Sequence, residues 1–192
     1  MSYELQVYSL SPVLPTPREL LARAGESGLE MDLRDAPGAR AAADENSWSK
    51  LLLASRDAER GGFLVEESPD LDRMKVQFRE DRTAGEDIPD EVLDARRLFV
   101  LELDDESDLG EQHQAAFVVT AWALAALTEG IVFDPQEEFF ADAESFWAIL
   151  MDEDLGEEGC GDDDEETDED DAIRPADLRV LPSPEAGEAD AR

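Results

Sequence analysis

A continuous apolar run near the middle of the chain constrains the fold more than any other feature. Between residues 115 and 127 the only polar side chain is Thr120. A helix that is apolar on all sides is normally buried. The run is also too short to cross a bilayer, which needs about 20 apolar residues. We therefore predict that residues 111–128 form the central core helix of a soluble domain.

The segments before this helix alternate between strand and helix patterns. Residues 3–9 and 29–34 show the every-second-residue apolar pattern of strands. Between them, a capping box of Thr16 and Glu19 predicts a helix that begins at Pro17 and ends near Gly25 or Gly28. Short connections then favour an antiparallel meander. Its predicted strands are residues 48–55, 62–66 and 73–79, and a short helix is predicted over 88–97.

The segments around the core helix repeat the strand–helix–strand order. Residues 98–103 are nearly continuous apolar, typical of a buried strand, and residues 131–133 form the next strand. Residues 139–151 favour a helix, with a hairpin as the open alternative. The whole pattern predicts an α/β or α+β fold in two layers, with helices mainly on one face. Its sheet is predicted to be mixed, with two β-α-β halves around an antiparallel middle segment.

Acidic residues dominate the second half of the chain. The net charge is −35 at pH 7, and residues 98–173 hold 26 acidic residues but neither lysine nor arginine. Residues 152–171 have too few apolar groups to offset the entropy lost on ordering. We therefore expect one globular α/β domain over residues 1–151 and an acidic, largely disordered tail over 152–192.

This segregated charge indicates which partners the chain can attract. A basic protein partner is favoured, because opposite charges steer association. Nucleic acids are disfavoured, since phosphate contacts need clustered lysine and arginine, and an anionic membrane surface should repel the chain. The sequence leaves the oligomeric state open.

Sequence motifs for catalysis are absent. The chain has no glycine-rich phosphate loop, no Gly-x-Ser-x-Gly elbow and no cysteine pair with metal-ligand spacing. Cys160 is the single cysteine, so no intrachain disulfide is possible. The N-terminal residues lack a secretory signal pattern. We therefore expect a cytoplasmic protein without a cofactor that is not an enzyme.

The first candidate binding site lies between a central strand and the core helix. It contains Asp104, Asp105, Asp108, Glu111 and His113. The end of a central strand is a favoured site position in α/β sheets, although a helix N-terminus also attracts carboxylates merely to complement its dipole. The alternative function, a small metal-dependent enzyme, would use this cluster.

The second candidate site is Asp134 and Gln136, on either side of Pro135. Proline holds the preceding residues extended and ends the strand, so both side chains would project at the strand's carboxyl end. A plain strand-terminating turn explains the same residues.

The segment that ends with these residues also carries a resemblance. An alanine-rich core helix, Gly130, a short strand and Asp-Pro-Gln follow one another in the sequence. This order resembles a group of small bacterial proteins of uncharacterised function, whose corresponding segment reads Gly-Ile/Val-Val-Tyr/Phe-Asp-Pro-Gln. The resemblance covers about residues 98–136. It implies a bacterial α/β domain and assigns no activity or residue role.

Together these features favour a non-enzymatic binding module with an acidic half that meets a basic partner. Two roles fit that description. One is an immunity-type role, in which the protein neutralises a cationic toxin domain. The other is regulatory, in which it shields a nucleic-acid-binding protein.

Overall fold

The computed structural model describes residues 3–34, 44–56, 61–103 and 111–152. Within these ranges the side chains of Glu111, Gln112 and Asp152 are not described. The predicted acidic tail lies outside the described residues. In chain order the elements are β1 (Tyr3–Ser9), α1 (Pro17–Gly25), β2 (Met31–Arg34), β3 (Lys50–Ser55), β4 (Phe63–Ser68), α2 (Leu71–Ala84), α3 (Asp90–Asp94), β5 (Arg97–Leu103), α4 (Glu111–Thr128), β6 (Ile131–Asp134), β7 (Phe139–Asp142) and α5 (Ala143–Asp152).

The seven strands form one sheet in the order β2-β3-β4-β5-β1-β6-β7. Of the two predicted classes, α/β and α+β, the structure shows α+β. The prediction of a mixed sheet is wrong, because every neighbouring pair is antiparallel. In the second β-α-β half, β5 and β6 do run in the same direction, but β1 lies between them and pairs with both. Helix α4 therefore connects two strands that are not neighbours.

Helices cover both faces of the sheet. Helices α1, α4 and α5 pack on one face, in the core that contains Val7 and Phe117. Helices α2 and α3 pack on the other face, through Phe78 and Val92. Successive residues of a strand point to opposite faces, and Tyr8 is as fully buried as Val7. The sequence predicts two layers, whereas the structure has three, because a second and smaller layer of helices covers the other face of the sheet.

The largest local difference from the sequence prediction is α2. The alternation of Met74, Val76 and Phe78 predicts a strand, but all three lie in this helix. Met74 and Phe78 are also four residues apart, which places them on one helical face. Both pack into the core of the second face, whereas Val76 is 52% exposed. Gly85 ends the helix with a φ of 108°, a left-handed conformation that glycine adopts without strain.

The two alternatives for residues 139–151 are both partly correct. Phe139–Asp142 is strand β7, which forms a hairpin with β6, and α5 begins directly after it. Asp142 caps this helix, since its Oδ1 accepts a hydrogen bond from the Ser145 backbone N–H at 2.7 Å. That hydrogen bond lowers the pKa of the Asp142 carboxyl. The change from strand to helix therefore occurs at the capping residue.

Candidate functional site

The structure describes only part of the first candidate site. Asp104, Asp105 and Asp108 lie outside the described residues, and Glu111 begins α4 without a described side chain. Within the described ranges, no group of three or more His, Cys, Asp and Glu side chains could hold a metal ion. His113 is the one member of this predicted cluster whose side chain can be placed.

His113 lies in the first turn of α4 and is only 3% exposed. Its Nε2 atom has no hydrogen-bond partner among the described atoms. Burial lowers the pKa of His113, and the positive charge of Arg34 lowers it further. Both effects disfavour the imidazolium form. His113 is therefore a buried imidazole that favours the neutral form, with an Nε2 atom that has no partner among the described atoms.

The buried state of His113 predicts a specific pH dependence of stability. The unfolded chain should titrate near the ordinary pKa of about 6.5, whereas the folded chain takes up this proton only at lower pH. The free energy of unfolding should therefore fall as the pH drops below about 6.5, by at most about 1.4 kcal/mol per pH unit from this group. The fall should end once the folded-state histidine is also protonated.

Urea denaturation between about pH 5 and pH 8 measures this effect. The control is His113→Gln, which keeps the other titratable groups and removes the imidazole. The difference between the two pH profiles isolates His113 from the many carboxylates. Parallel profiles for the native chain and the variant would contradict the assignment of a buried neutral histidine.

Asp134 is built into the turn between β6 and β7. It is 3% exposed, and its Oδ1 accepts hydrogen bonds from the backbone N–H groups of Gln136 (2.8 Å) and Glu137 (3.1 Å). Its Oδ2 accepts a hydrogen bond from the Tyr3 hydroxyl, on the neighbouring strand β1. These partners use both carboxylate oxygens. The geometry therefore supports the strand-terminating turn rather than a side chain that projects toward a ligand.

Gln136 follows the same turn and is exposed. With its amide nitrogen directed toward acceptors, it donates to Asp134 Oδ1 at 3.1 Å and to the Glu4 carbonyl oxygen at 2.8 Å. The structure thus brings Asp134 and Gln136 together. It does so inside the hairpin, where both side chains bind the protein's own backbone.

Replacing Asp134 with alanine should lower the free energy of unfolding by about 2–3 kcal/mol, because a buried hydroxyl and two backbone N–H groups lose their acceptor. Chemical denaturation measures the change. Glu137→Ala is the matched control in the same turn, since this exposed side chain should contribute within about 0.5 kcal/mol. Equal effects of the two variants would show that Asp134 does not hold the turn.

Exposed carboxylates occur along the whole described chain, but the lysines and arginines that pair with some of them all lie before residue 98. All ion pairs between described residues use acids from residues 26–90, as in Lys50–Glu66 and Arg97–Glu67. Six exposed acids of the later elements are in none of these pairs, namely Glu102, Glu129, Glu137, Glu138, Asp142 and Glu144. The charge segregation seen in the sequence therefore persists on the folded surface.

A row of side chains on the sheet was not predicted from the sequence. Five adjacent strands place one residue each in direct register, on the face that carries α2 and α3. Across β2, β3, β4, β5 and β1 these residues are Arg34, Leu52, Leu64, Glu102 and Glu4, and we call them the cross-strand row. Strand register depends on pairings that are distant in sequence. The period-two pattern within each strand indicates which residues share a face, but not which residues of neighbouring strands stand opposite one another.

The geometry defines an α+β domain with an antiparallel sheet and unpaired surface carboxylates, a class that hosts many functions. No protein-family profile matches the chain, and no curated protein or solved structure does either. Of the helices that the structure describes, none combines the length and apolar character needed to cross a membrane.

Proposed function

We propose that this protein is a non-enzymatic, cytoplasmic binding module whose acidic half engages a basic protein partner. The observation that carries the proposal is that residues 98–152 bring exposed carboxylates to the described surface but contain no lysine or arginine. Acids of residues 26–90 hold the ion pairs of the described surface. Acids of residues 98–152 that are described and exposed have no described cation to neutralise them.

Unneutralised carboxylates on one part of a surface create a negative potential that attracts a cationic protein and accelerates its association. They also repel one another, so their accumulation does not stabilise the domain itself. A basic partner offsets this repulsion on binding. An immunity-type partner, such as a cationic toxin domain, and a basic regulatory partner both meet this requirement.

A salt-titrated pull-down from the source cell's lysate tests the proposal on the full chain. The variant Glu102→Gln, Glu129→Gln, Glu137→Gln, Glu138→Gln and Glu144→Gln removes five unpaired charges and keeps the Asp142 cap. The matched control removes five charges from ion pairs: Glu26→Gln, Glu30→Gln, Glu66→Gln, Asp70→Asn and Asp90→Asn. A third variant replaces the acids of residues 162–166 with their amides.

We expect a basic protein to bind the native chain and to be released as the salt concentration rises, because exposed charges are screened within about 8 Å at physiological ionic strength. The five unpaired acids or the tail acids should be required, whereas the ion-paired acids should not. A partner that resists salt and binds all variants equally would overturn the proposal.

A second candidate function, a small metal-dependent enzyme using the 104–113 cluster, is favoured by one observation. His113 Nε2 has no described hydrogen-bond partner, and an imidazole nitrogen is the kind of atom that ligates a divalent metal. Titration of the full chain with Zn²⁺ or Mn²⁺ tests this function. Stoichiometric binding that is lost in Asp104→Asn/His113→Gln would support it, and weak binding that both chains share would reflect general polyanion attraction.

A further inference from the structure

The cross-strand row lies outside the core that α2 and α3 form with the sheet. On the same face, α2 and α3 pack over Tyr8, Leu98 and Ile131. Leu52 and Leu64 are directly paired across β3 and β4. They are only partly buried, and they belong to neither of the two hydrophobic cores. An apolar pair thus faces outward in the middle of the row.

The other half of the row is acidic. Glu102 pairs with Leu64 on one side and stands directly opposite Glu4 on the other. Like charges in direct cross-strand register destabilise a sheet. Their side chains start about 5 Å apart, so one guanidinium or ammonium group can contact both carboxylates. A cation placed there would convert the repulsion into attraction.

Glu4 is held in place from within the protein. Its carboxylate accepts a hydrogen bond from Gln6 Nε2 at 2.7 Å, and Gln6 Oε1 accepts one from the Tyr8 hydroxyl at 2.6 Å. Tyr8 is fully buried. Burial raises the pKa of its hydroxyl, and the charge of Glu4 raises it further, so the hydroxyl remains a donor. These two hydrogen bonds hold the Glu4 carboxylate in place in the absence of a partner.

From this geometry we infer that the cross-strand row is the docking surface for a basic, partly apolar segment of the partner, an inference that rests on the proposed function. Apolar side chains of the segment would cover Leu52 and Leu64, and an arginine or lysine would contact Glu102 and Glu4. The four strands that carry these residues, at about 4.8 Å spacing, span roughly 14 Å, which matches about four residues of extended chain.

Charge complementarity selects this occupant over a second copy of the chain. Each copy carries a net charge of −35, and such self-repulsion opposes the close contact of two identical acidic surfaces. The chain's own residues 173–181 also combine apolar side chains with Arg174 and Arg179. These residues could therefore occupy the cross-strand row in place of a partner, and the experiment must distinguish the two occupants.

Fluorescence anisotropy with the full chain and a labelled probe tests the docking surface. The probe is an eight-residue peptide with two leucines followed by two arginines, flanked by glycine and serine. A second peptide replaces both leucines with serine and keeps the charge. The chain variants are Glu4→Gln/Glu102→Gln and Leu52→Ser/Leu64→Ser. Their matched control is Glu26→Gln/Asp90→Asn, which removes two charges from ion pairs, and circular dichroism checks that each variant folds.

We expect each row variant to weaken binding of the leucine–arginine peptide about tenfold, the change that about 1.4 kcal/mol produces. The Glu26/Asp90 control should bind normally, and the serine peptide should bind about tenfold more weakly to the native chain. Equal binding of the two peptides, or equal effects of row and control variants, would overturn the inference. So would an absence of binding to every chain tested.

The same variants separate this inference from the proposed function. If the partner from the lysate depends on the unpaired acids but binds Glu4→Gln/Glu102→Gln normally, the proposed function stands and the cross-strand row is not its site. A full chain with Ile173→Ser, Arg174→Gln, Leu178→Ser and Arg179→Gln tests the competitor. If only that chain binds the peptide, the chain's own segment occupies the row, and the inference of a partner is overturned.

Discussion

Replacement of Phe78 by alanine should lower the free energy of unfolding by about 3–4 kcal/mol, the usual cost of removing a buried aromatic ring. Phe78 is the one buried residue of α2. Its ring centroid lies 5.6 Å from that of Tyr8, 5.7 Å from that of Phe133 and 5.6 Å from that of Phe140. Loss of the ring removes all three edge-to-face contacts together and leaves α2 weakly attached to the sheet.

Urea denaturation measures the stability change, and hydrogen exchange of the α2 amides measures the detachment of the helix. Val76→Ala is the control, because Val76 is 52% exposed on the same helix and its truncation should cost less than about 0.5 kcal/mol. In a strand, Val76 and Phe78 would share one face. Similar losses for the two variants would therefore contradict the helical assignment of this segment.

Gly62→Ala should be the most damaging glycine substitution in the described chain, with a loss of about 3 kcal/mol or more. Gly62 has a φ of 150°, and a Cβ atom there would stand 2.6 Å from the backbone carbonyl oxygen of Leu53. Neither problem is relieved by moving a flexible side chain. The strand pair β3–β4, which carries Leu52 and Leu64, would have to shift at this end.

Thermal or urea denaturation of Gly62→Ala gives the measurement, with Gly25→Ala as the control. Gly25 ends α1, and an added Cβ atom would meet nothing within 4 Å. Alanine is also favoured over glycine in a helix. We therefore expect Gly25→Ala to leave the stability unchanged or to raise it slightly. A Gly62→Ala chain as stable as Gly25→Ala would show that the β3–β4 connection tolerates a side chain.

Some elements were predictable because their cause is local in the sequence. The capping box before α1 forms as predicted, with the Thr16 N–H donating to Glu19 Oε2 (2.8 Å) and the Glu19 N–H donating to Thr16 Oγ1 (3.2 Å). The apolar run becomes α4 over the predicted residues 111–128, and both of its flanking strands form. A capping box and a continuous apolar run each involve residues that are close together in sequence. The helices that they indicate can therefore be predicted without knowledge of the fold.

The short amphipathic segments were harder to predict. In residues 73–79 the same apolar positions satisfy a period of two and, through Met74 and Phe78, a spacing of four. Periodicity alone does not choose between these when the run is short. The choice is made by packing, because Phe78 meets aromatic rings from β1, β6 and β7. Those partners are distant in sequence.

The sequence by itself determined that helices combine with a sheet, that the central helix is buried and that acidic charge is segregated. These follow from composition and local pattern. Only the tertiary structure decided that the sheet is antiparallel, that Asp134 serves the hairpin turn and that Leu52, Leu64, Glu102 and Glu4 share one row. The physical reason is that strand order and register are set by contacts between distant segments, which bury one face of each strand together. No local pattern specifies which strands meet.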